Sequence, residues 1–385
     1  MALPVAQVPI VGYGEHEDAM VAYRAAGTER AMSLGNRGPL RFDEDGRVCA
    51  EILDAYDEHG FYVFTGLFGA EELDEIEADV VRLLDRGPVA KDSPVDRYGQ
   101  PALGADCQAR NYVWVEPLTD PLGGTSASHG RHEAKMFEPE PPADAPDHVV
   151  QLVLGSLQFS DACLRVYGHH GLLKVAEAIN GPDFTPFNEA VWIKQPGLGG
   201  SVAWHQDGWT HWQDPDLDNH THGFNFMAQL YGCDAANGLW VVPGSHRRGK
   251  LDIKGMVAAA GSDRLPDAVP VICDPGDVAM TSRQAVHGSF ANTSPAPRVT
   301  INFGFHRRSS VLGVRSGGVH NPISEYTEEY IFERSKCIAW AIDARAERFP
   351  DEPRYDYQPL VGMGLRWDDG ARAALKDYNL RDIGI

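Results

Sequence analysis

The sequence predicts an α+β protein in which helices precede a central antiparallel sandwich or small barrel. From about residue 185 to 307, short apolar runs alternate with turn residues, which is typical of antiparallel strands. Before this region, apolar residues recur at helical spacing. The 385 residues include 40 glycines and 26 prolines, and this composition favours a loop-rich architecture that contains β-structure.

Two helices with a strand between them are predicted near the N-terminus. Apolar side chains at helical spacing indicate a helix over 45–59, which ends before Gly60. The apolar run 61–64 follows as a buried strand, and a second helix over 70–86 ends at Gly87-Pro88. Residues 88–146 have little periodicity and are expected to form a long functional or partly disordered loop.

Further helices are expected at 147–158 and 161–180, and the strands follow them. A last helix is predicted over 324–348, with a tail rich in Pro, Asp and Tyr to Ile385. The predicted strands are Ala190–Lys194, Phe224–Tyr231, Leu239–Val242, Val269–Ile272, Val278–Thr281 and Arg298–Phe305.

Charge and composition disfavour several classes of function. With 34 basic and 55 acidic residues, the formal net charge of −21 disfavours nucleic acid and anionic membrane surfaces as partners. There is no apolar run of the roughly 20 residues that a membrane span needs, and the N-terminus lacks a basic signal region. The six cysteines have no metal-binding or redox spacing, so we expect reduced thiols in a cytoplasmic protein.

A candidate metal site centres on Trp204-His205-Gln206-Asp207-Gly208. Residues i and i+2 of an extended segment point to the same side, so His205 and Asp207 can bind one ion. His287, just after a predicted strand, is the candidate third ligand. Two histidines and one carboxylate form the facial triad typical of non-haem Fe(II) oxygenases. Taken alone, the His-x-Asp pattern is a weak signal, and a surface histidine hydrogen-bonded to a nearby aspartate accounts for it better.

Arg298 and Ser289 extend this candidate site. Arg298 begins the apolar run that follows His287, and a hairpin would bring it back beside the strand that bears His287. There it could bind the far end of a dicarboxylate whose near end chelates the metal, and Ser289 could add a hydroxyl to the same carboxylate. Arg298 could instead form a salt bridge on the surface.

Several motifs, in this order, resemble the phytanoyl-CoA dioxygenase family over about 45–87 and 185–307. In the N-terminal part they are Asp57-Glu58-His59-Gly60-Phe61-Tyr62-Val63 and Glu71-Glu72-Leu73. In the β-region they are Lys194-Gln195-Pro196-Gly197, Trp204-His205-Gln206-Asp207, Asn237-Gly238-Leu239-Trp240-Val241-Val242-Pro243-Gly244-Ser245-His246-Arg247, Pro275-Gly276-Asp277-Val278, His287-Gly288-Ser289 and Arg298. The resemblance implies a double-stranded β-helix (jelly-roll or cupin-like) that binds Fe(II) and 2-oxoglutarate and uses O₂ to oxidise a small molecule. The expected single domain, 1–385, comprises a helical N-terminal region (45–184), the β-helix core (185–307) and a C-terminal helical extension (308–385), with loop 88–146 and the extension covering the mouth.

The resemblance also implies roles for individual residues. His205, Asp207 and His287 would be the catalytic iron ligands, and Arg298 and Ser289 would bind the distal carboxylate of 2-oxoglutarate. Apart from the resemblance, Lys194 could contact 2-oxoglutarate or substrate, or could cap a strand end on the surface. Relatives that halogenate lack the carboxylate ligand, so Asp207 favours a hydroxylase.

The substrate is expected to be a small organic molecule, such as an amino-acid derivative or a specialised-metabolite intermediate. Trp209 and His211, just past the metal motif, are candidate substrate contacts, whereas Trp192 and Trp240 are expected in the core and His246 in a structural turn. The same iron site could instead catalyse desaturation, epimerisation, cyclisation or demethylation. A non-catalytic β-helix that binds a ligand is a further alternative, but the intact triad and Arg298 argue against it. A hydrolytic zinc site is another alternative, but it would leave Arg298 and Ser289 without a purpose. Size and family habit suggest a homodimer.

Overall fold

A computed structural model describes residues 11–210, 212, 223–318 and 321–384. Its helices are α1 Glu17–Ser33, α2 Ala50–His59, α3 Ala70–Asp85, α4 Ala127–Gly130, α5 Asp161–Tyr167, α6 His170–Asn180, α7 Ile253–Ala260, α8 Glu328–Arg348 and α9 Asp369–Ala374. Its strands are β1 Arg37–Gly38, β2 Phe61–Phe64, β3 Tyr112–Val115, β4 Val149–Leu154, β5 Thr185–Lys194, β6 Val202–His205, β7 Gly223–Gln229, β8 Trp240–Val241, β9 Val269–Pro270, β10 Val278–Ser282, β11 His287–Ser289, β12 Arg298–His306, β13 Arg315–Ser316 and β14 Ser324–Glu325.

Two sheets carry the architecture. The large sheet has eight strands in the order β1-β2-β10-β7-β12-β5-β4-β3, and the small sheet has four in the order β6-β11-β8-β9. Every pairing in these two sheets is antiparallel except that of β1 with β2. The predicted antiparallel β-region is therefore confirmed.

Along the central strands, successive side chains face the hydrophobic core and a cavity in turn. On β12, Val299 and Ile301 pack in a large hydrophobic cluster with residues of α3, α5, α6 and α8. Arg298 and Thr300 point to the opposite face, where they line the cavity. Successive strand side chains point to opposite faces, so one strand both anchors the core and presents polar groups to the cavity.

The segment 147–158 corrects the sequence prediction. It forms strand β4 followed by a short 3₁₀ turn, not a helix. The run Val149-Val150-Gln151-Leu152-Val153-Leu154 is buried along its whole length and pairs with β3 on one side and β5 on the other. The periodicity of a short buried apolar run is compatible with either a helix or a strand. This run is a strand because it pairs with β3 and β5 in the sheet.

The single helix predicted over 161–180 is also wrong, because the chain breaks at Gly168 into α5 and α6. A Cβ atom on Gly168 would lie 2.2 Å from the backbone oxygen of Ala341 in α8. This close approach admits only glycine, and it lets α5 pack directly on α8.

The remaining predicted elements agree with the structure within a few residues, with some omissions. Helix α1 was not predicted, and the long loop 88–146 contains β3 and the one-turn α4. The last long helix begins at Glu328 rather than Ser324, which lies in β14. Among the described residues, no helix combines the length and apolarity needed to cross a membrane.

Candidate metal centre

His205 and His287 are directly paired across the small sheet. They are register partners on β6 and β11, and their ring centroids lie 4.1 Å apart. Asp207 follows β6, with its Oδ1 3.6 Å from Nε2 of His205 and its Oδ2 4.0 Å from Nε2 of His287. One potential ligand atom from each of the three residues falls within 4.8 Å of the others, so the cluster could hold one metal ion.

The hydrogen bonds of both histidines suit metal binding. Nδ1 of His205 lies 2.8 Å from the carbonyl oxygen of Ala203, and Nδ1 of His287 lies 2.8 Å from that of Ala285. Because a carbonyl oxygen only accepts, each Nδ1 carries the proton and each Nε2 keeps a free lone pair. Metal-binding histidines are commonly oriented in this way, and the donor set fits a divalent transition metal.

Asp207 is held as a carboxylate by several neighbours. Burial raises the pKa of Asp207, but its contact with the His205 ring and its proximity to His287 and Arg283 lower the pKa by more, leaving it well below its ordinary value. Asn225 donates to Oδ2 at 3.1 Å, and Nη1 of Arg131 lies 3.4 Å from Oδ1. The ligand oxygens therefore remain ionised and oriented.

Gln206 fixes the backbone between the two ligands. Its Nε2 donates to the carbonyl oxygens of Gly249 and Gln284 at 2.9 and 2.6 Å, and its Oε1 accepts from the amide of Leu251 at 2.8 Å. Sequence reasoning did not single out this residue, because its partners lie at least 43 positions away.

Two buried cations lie side by side near the metal cluster: Arg298 lines the cavity, and Lys194 contacts the lining residue Ser289. Lys194 and Arg298 are register partners on β5 and β12, and they are 1% and 5% exposed. Lys194 Nζ donates to Ser289 Oγ at 2.8 Å and to the carbonyl oxygen of Phe290 at 2.6 Å. Burial, followed by the charge of Arg298, lowers the pKa of Lys194 well below its ordinary value. Lys194 is thus not a surface residue.

Arg298 contacts neutral groups only, within the part of the chain that the structure describes. Its Nε donates to Thr300 Oγ1 at 3.0 Å, and its Nη1 donates to the carbonyl oxygen of Asn237 at 3.4 Å. The predicted hairpin is wrong, because β11 and β12 belong to different sheets. Arg298 instead approaches the cavity from the large sheet while His287 approaches it from the small one.

The cavity encloses about 750 Å³ and includes residues that sequence reasoning missed. The ring of His132 packs 4.4 Å from that of His205, and His129 stacks on Trp209 with 3.8 Å between centroids. His129 and His132, together with Arg131, come from the long loop 88–146. The cluster His129-Gly130-Arg131-His132 was a signal in the sequence that could have marked them.

The other candidate residues fall into different places. Trp209 and Trp192 line the cavity, so the expectation that Trp192 packs in the core is wrong, whereas Trp240 is buried in the core. His246 is buried with Nε2 2.9 Å from the carbonyl oxygen of Asp57, in keeping with a structural role. His211 lies outside the described residues. Gly317 and Gly384 of the C-terminal extension complete one wall of the cavity.

A model of the phytanoyl-CoA dioxygenase family matches residues 56–300, which include the whole cluster. The chain belongs to the phytanoyl-CoA dioxygenase family. A relative named Phytanoyl-CoA dioxygenase 1, from Oryza sativa subsp. japonica, is 32% identical over 119 residues. That match covers 29% of this chain and 40% of the relative.

Solved structures similar to this family member share low identity with it. EctD from S. alaskensis, solved with 2-oxoglutarate and 5-hydroxyectoine, is 20% identical with a TM-score of 0.49, covering 71% of this chain and 81% of EctD. AviO1 from Streptomyces viridochromogenes Tue57 is 21% identical with a TM-score of 0.45, covering 68% and 95%. SnoN, described as a non-heme alpha ketoglutarate dependent epimerase from nogalamycin biosynthesis, is 18% identical with a TM-score of 0.46, covering 72% and 91%.

Proposed function

We propose that this chain is an Fe(II)- and 2-oxoglutarate-dependent dioxygenase that hydroxylates a small organic molecule and releases succinate and CO₂. The proposal treats residues 1–385 as one oxygenase domain whose two sheets form a double-stranded β-helix. Membership of the phytanoyl-CoA dioxygenase family and the cluster of His205, Asp207 and His287 support it.

The observation that carries the proposal is the pair of buried cations, Lys194 and Arg298. Burying a charge is costly unless an opposite charge or several hydrogen bonds compensate. Neither cation has a carboxylate within 4.0 Å in the described parts of the chain. A ligand carboxylate in this position would supply the missing charge, and Ser289 Oγ already contacts Lys194 there.

The cavity has room for a dicarboxylate between these cations and the metal cluster. Arg298, Ser289 and all three cluster residues line the same space. In the proposed arrangement Arg298 and Lys194 bind the distal carboxylate, and the 2-oxo acid end reaches the metal. Thr300 and Gln229 support Arg298, because Thr300 Oγ1 accepts from Arg298 and donates to Gln229 Oε1 at 2.8 Å.

His205, Asp207 and His287 would hold the iron, which with 2-oxoglutarate supplies the activation of O₂ and the oxidation of the substrate. The protein's own part is positioning and exclusion of water. The two backbone carbonyls fix the histidine rings, Asn225 orients Asp207, and His132 covers His205 from the loop side. Trp209, which lines the same cavity, would contact an amino-acid derivative or a specialised-metabolite intermediate.

An anaerobic titration tests this function. Fe(II) and then 2-oxoglutarate are added to the metal-free protein, and the visible charge-transfer band of the chelate is recorded. We expect a band in the wild type, no band in His287→Ala, and a higher 2-oxoglutarate requirement in Arg298→Ala. His16→Ala and Arg41→Ala change the same residue types outside the cavity and should behave as wild type.

The outcome decides between classes of function. If iron binds but no band develops with 2-oxoglutarate, the oxygenase proposal is wrong and a binding or zinc site replaces it. If the band forms, succinate release in the presence of candidate substrates then measures turnover.

A further inference from the structure

The outer half of the cavity has an apolar floor. Leu152, Leu154 and Ala190 form a small hydrophobic cluster with the half-buried Val113 and Trp192, separate from the large core cluster. All five line the cavity, on the face of β3, β4 and β5 that points away from the core. Apolar surface that faces a cavity rather than the core is typical of a ligand site.

A stacked aromatic pair also lines the cavity. The rings of Trp209 and His129 stack at 3.8 Å with an interplanar angle of 15°, and both residues line the cavity. Ser128 and His129 have positive φ angles of 50° and 58°, which non-glycine residues rarely adopt. The loop therefore accepts an unfavourable backbone conformation where it places this ring, as often occurs at ligand sites.

The rim of the same half carries two exposed cations. Lys91 and Arg110 line the cavity and form no ion pair with the residues that the structure describes. Arg110 Nε donates to the carbonyl oxygen of Tyr112 at 3.2 Å, and Lys91 Nζ lies 3.5 Å from His148 Nε2. Both contacts leave donors available for a ligand.

The charge of the cavity is opposite to that of the whole chain. Its described lining contains five Lys and Arg residues but only two acids, Asp120 and Asp207, whereas the chain has a net charge of −21. Both carboxylate oxygens of Asp120 accept hydrogen bonds from backbone amides, those of Leu122 and Ala203, so this acid is already engaged within the protein. A cationic cleft in an acidic protein concentrates anions.

We propose that the substrate is a small organic anion with a flat apolar body. The body covers Leu152, Leu154 and Ala190, and the carboxylate, sulfate or phosphate group pairs with Arg110 and Lys91 at the rim. This inference rests on the proposed function, in which the opposite end of the cavity holds 2-oxoglutarate. The two pairs of cations would thus select different anions. The buried pair would bind 2-oxoglutarate, and the exposed pair at the rim, which lies beside apolar surface, would bind the substrate.

Two fluorescent probes of similar shape test the inference. Anilinonaphthalene sulfonate is a flat anion and phenylnaphthylamine is its neutral counterpart. Binding of each is measured on the full chain, metal-free and again anaerobically with Fe(II) and 2-oxoglutarate. The rim variant Lys91→Gln/Arg110→Gln is compared with Lys254→Gln/Arg41→Gln, which removes two exposed cations outside the cavity.

We expect the anion to bind more tightly than the neutral probe and the rim variant to weaken anion binding about fivefold, as loss of two partly exposed ion pairs implies. Binding of the neutral probe should not change in the rim variant, and the control variant should bind both probes as the wild type does. Equal affinities for the two probes, or equal losses in both variants, would overturn the inference.

The floor is tested separately with Leu154→Asn, which should weaken binding of both probes; unchanged binding would overturn the assignment of the floor. Failure of the proposed function is distinguishable, since it removes the chelate band but leaves the binding of probes to the metal-free protein unaffected.

Discussion

Lys194 and Arg298 face each other directly across β5 and β12, and both are buried without an acidic partner among the described residues. Like charges opposite one another in a sheet are destabilising. Arg298 lines the same cavity as the candidate metal ligands, and Lys194 is joined to that cavity through Ser289. This arrangement prepares the free protein for an anion, because both side chains are already desolvated and held in position before the ligand arrives.

Lys194→Met should weaken 2-oxoglutarate binding at least about tenfold, since a buried charge-assisted contact is lost. Fe(II) binding should be unchanged, because the side chain contacts Ser289 and Phe290 rather than the cluster. Titration of the chelate band measures both quantities. Lys254→Met serves as the control at an exposed lysine, and an unchanged affinity in Lys194→Met would contradict the role given to Lys194.

Binding of 2-oxoglutarate should be coupled to proton uptake at Lys194. Burial and the charge of Arg298 lower the pKa of Lys194 well below 10.5 in the free protein. An arriving carboxylate favours the charged form and raises this pKa, so affinity should fall as pH rises from the free-state pKa towards the bound-state pKa. Calorimetry in buffers of different ionisation enthalpy counts the protons. Equal proton uptake in Lys194→Met and the wild type would refute the coupling.

Gly168→Ala should destabilise the protein by about 3 kcal/mol, because a Cβ atom there meets backbone rather than a movable side chain. Urea unfolding monitored by circular dichroism gives the difference. Gly69→Ala is the matched control, since a Cβ at Gly69 has no other atom within 4 Å. Its effect should stay within about 0.5 kcal/mol, and a similar small effect at Gly168 would show that α5 and α8 can separate without cost.

The candidate metal ligands could be predicted from the sequence because two of them are close together in the chain and the third belongs to a recognisable motif. His205 and Asp207 are two positions apart, and the structure brings Asp207 within 4.0 Å of His287. Arg298 was expected beside His287 through a hairpin; it does line the same cavity as His287, but it reaches that cavity from the other sheet. Its strand pairs with β5 and β7, and which sheet a strand joins depends on partners that are distant in sequence.

The missed elements depend on long-range packing. Helix α1 has no clear apolar stripe, and it docks where Gly27 lies against the ring of Trp240, more than 200 residues away. The loop that delivers Arg131 and His132 is positioned through contacts such as Asp120 Oδ2 with the amide of Ala203. No local pattern encodes such contacts, whereas the turns and alternating strands were visible in the sequence.

The last prediction concerns the segment after α8, residues 349–384, which is tied to α8 through Asp343. This buried carboxylate accepts from Arg354 Nη2 at 2.8 Å, Arg366 Nη1 at 2.9 Å and the amide of Trp367 at 2.8 Å. Burial raises the pKa of Asp343, but the hydrogen bonds from the Trp367 amide and the two arginines lower it by a larger amount, so the pKa lies below its ordinary value of 3.8. Asp343→Asn should therefore cost about 1–3 kcal/mol at neutral pH.

The pH dependence of this cost has a definite sign. A carboxyl group with a lowered folded-state pKa contributes stability above its unfolded pKa and loses it as pH falls through the folded pKa. The difference in unfolding free energy between wild type and Asp343→Asn should be constant near neutral pH and shrink below about pH 4. Urea unfolding across this range measures it, with Asp351→Asn as the exposed control. If the difference persists unchanged below pH 4, packing around Asp343 rather than its charge attaches the segment after α8 to that helix.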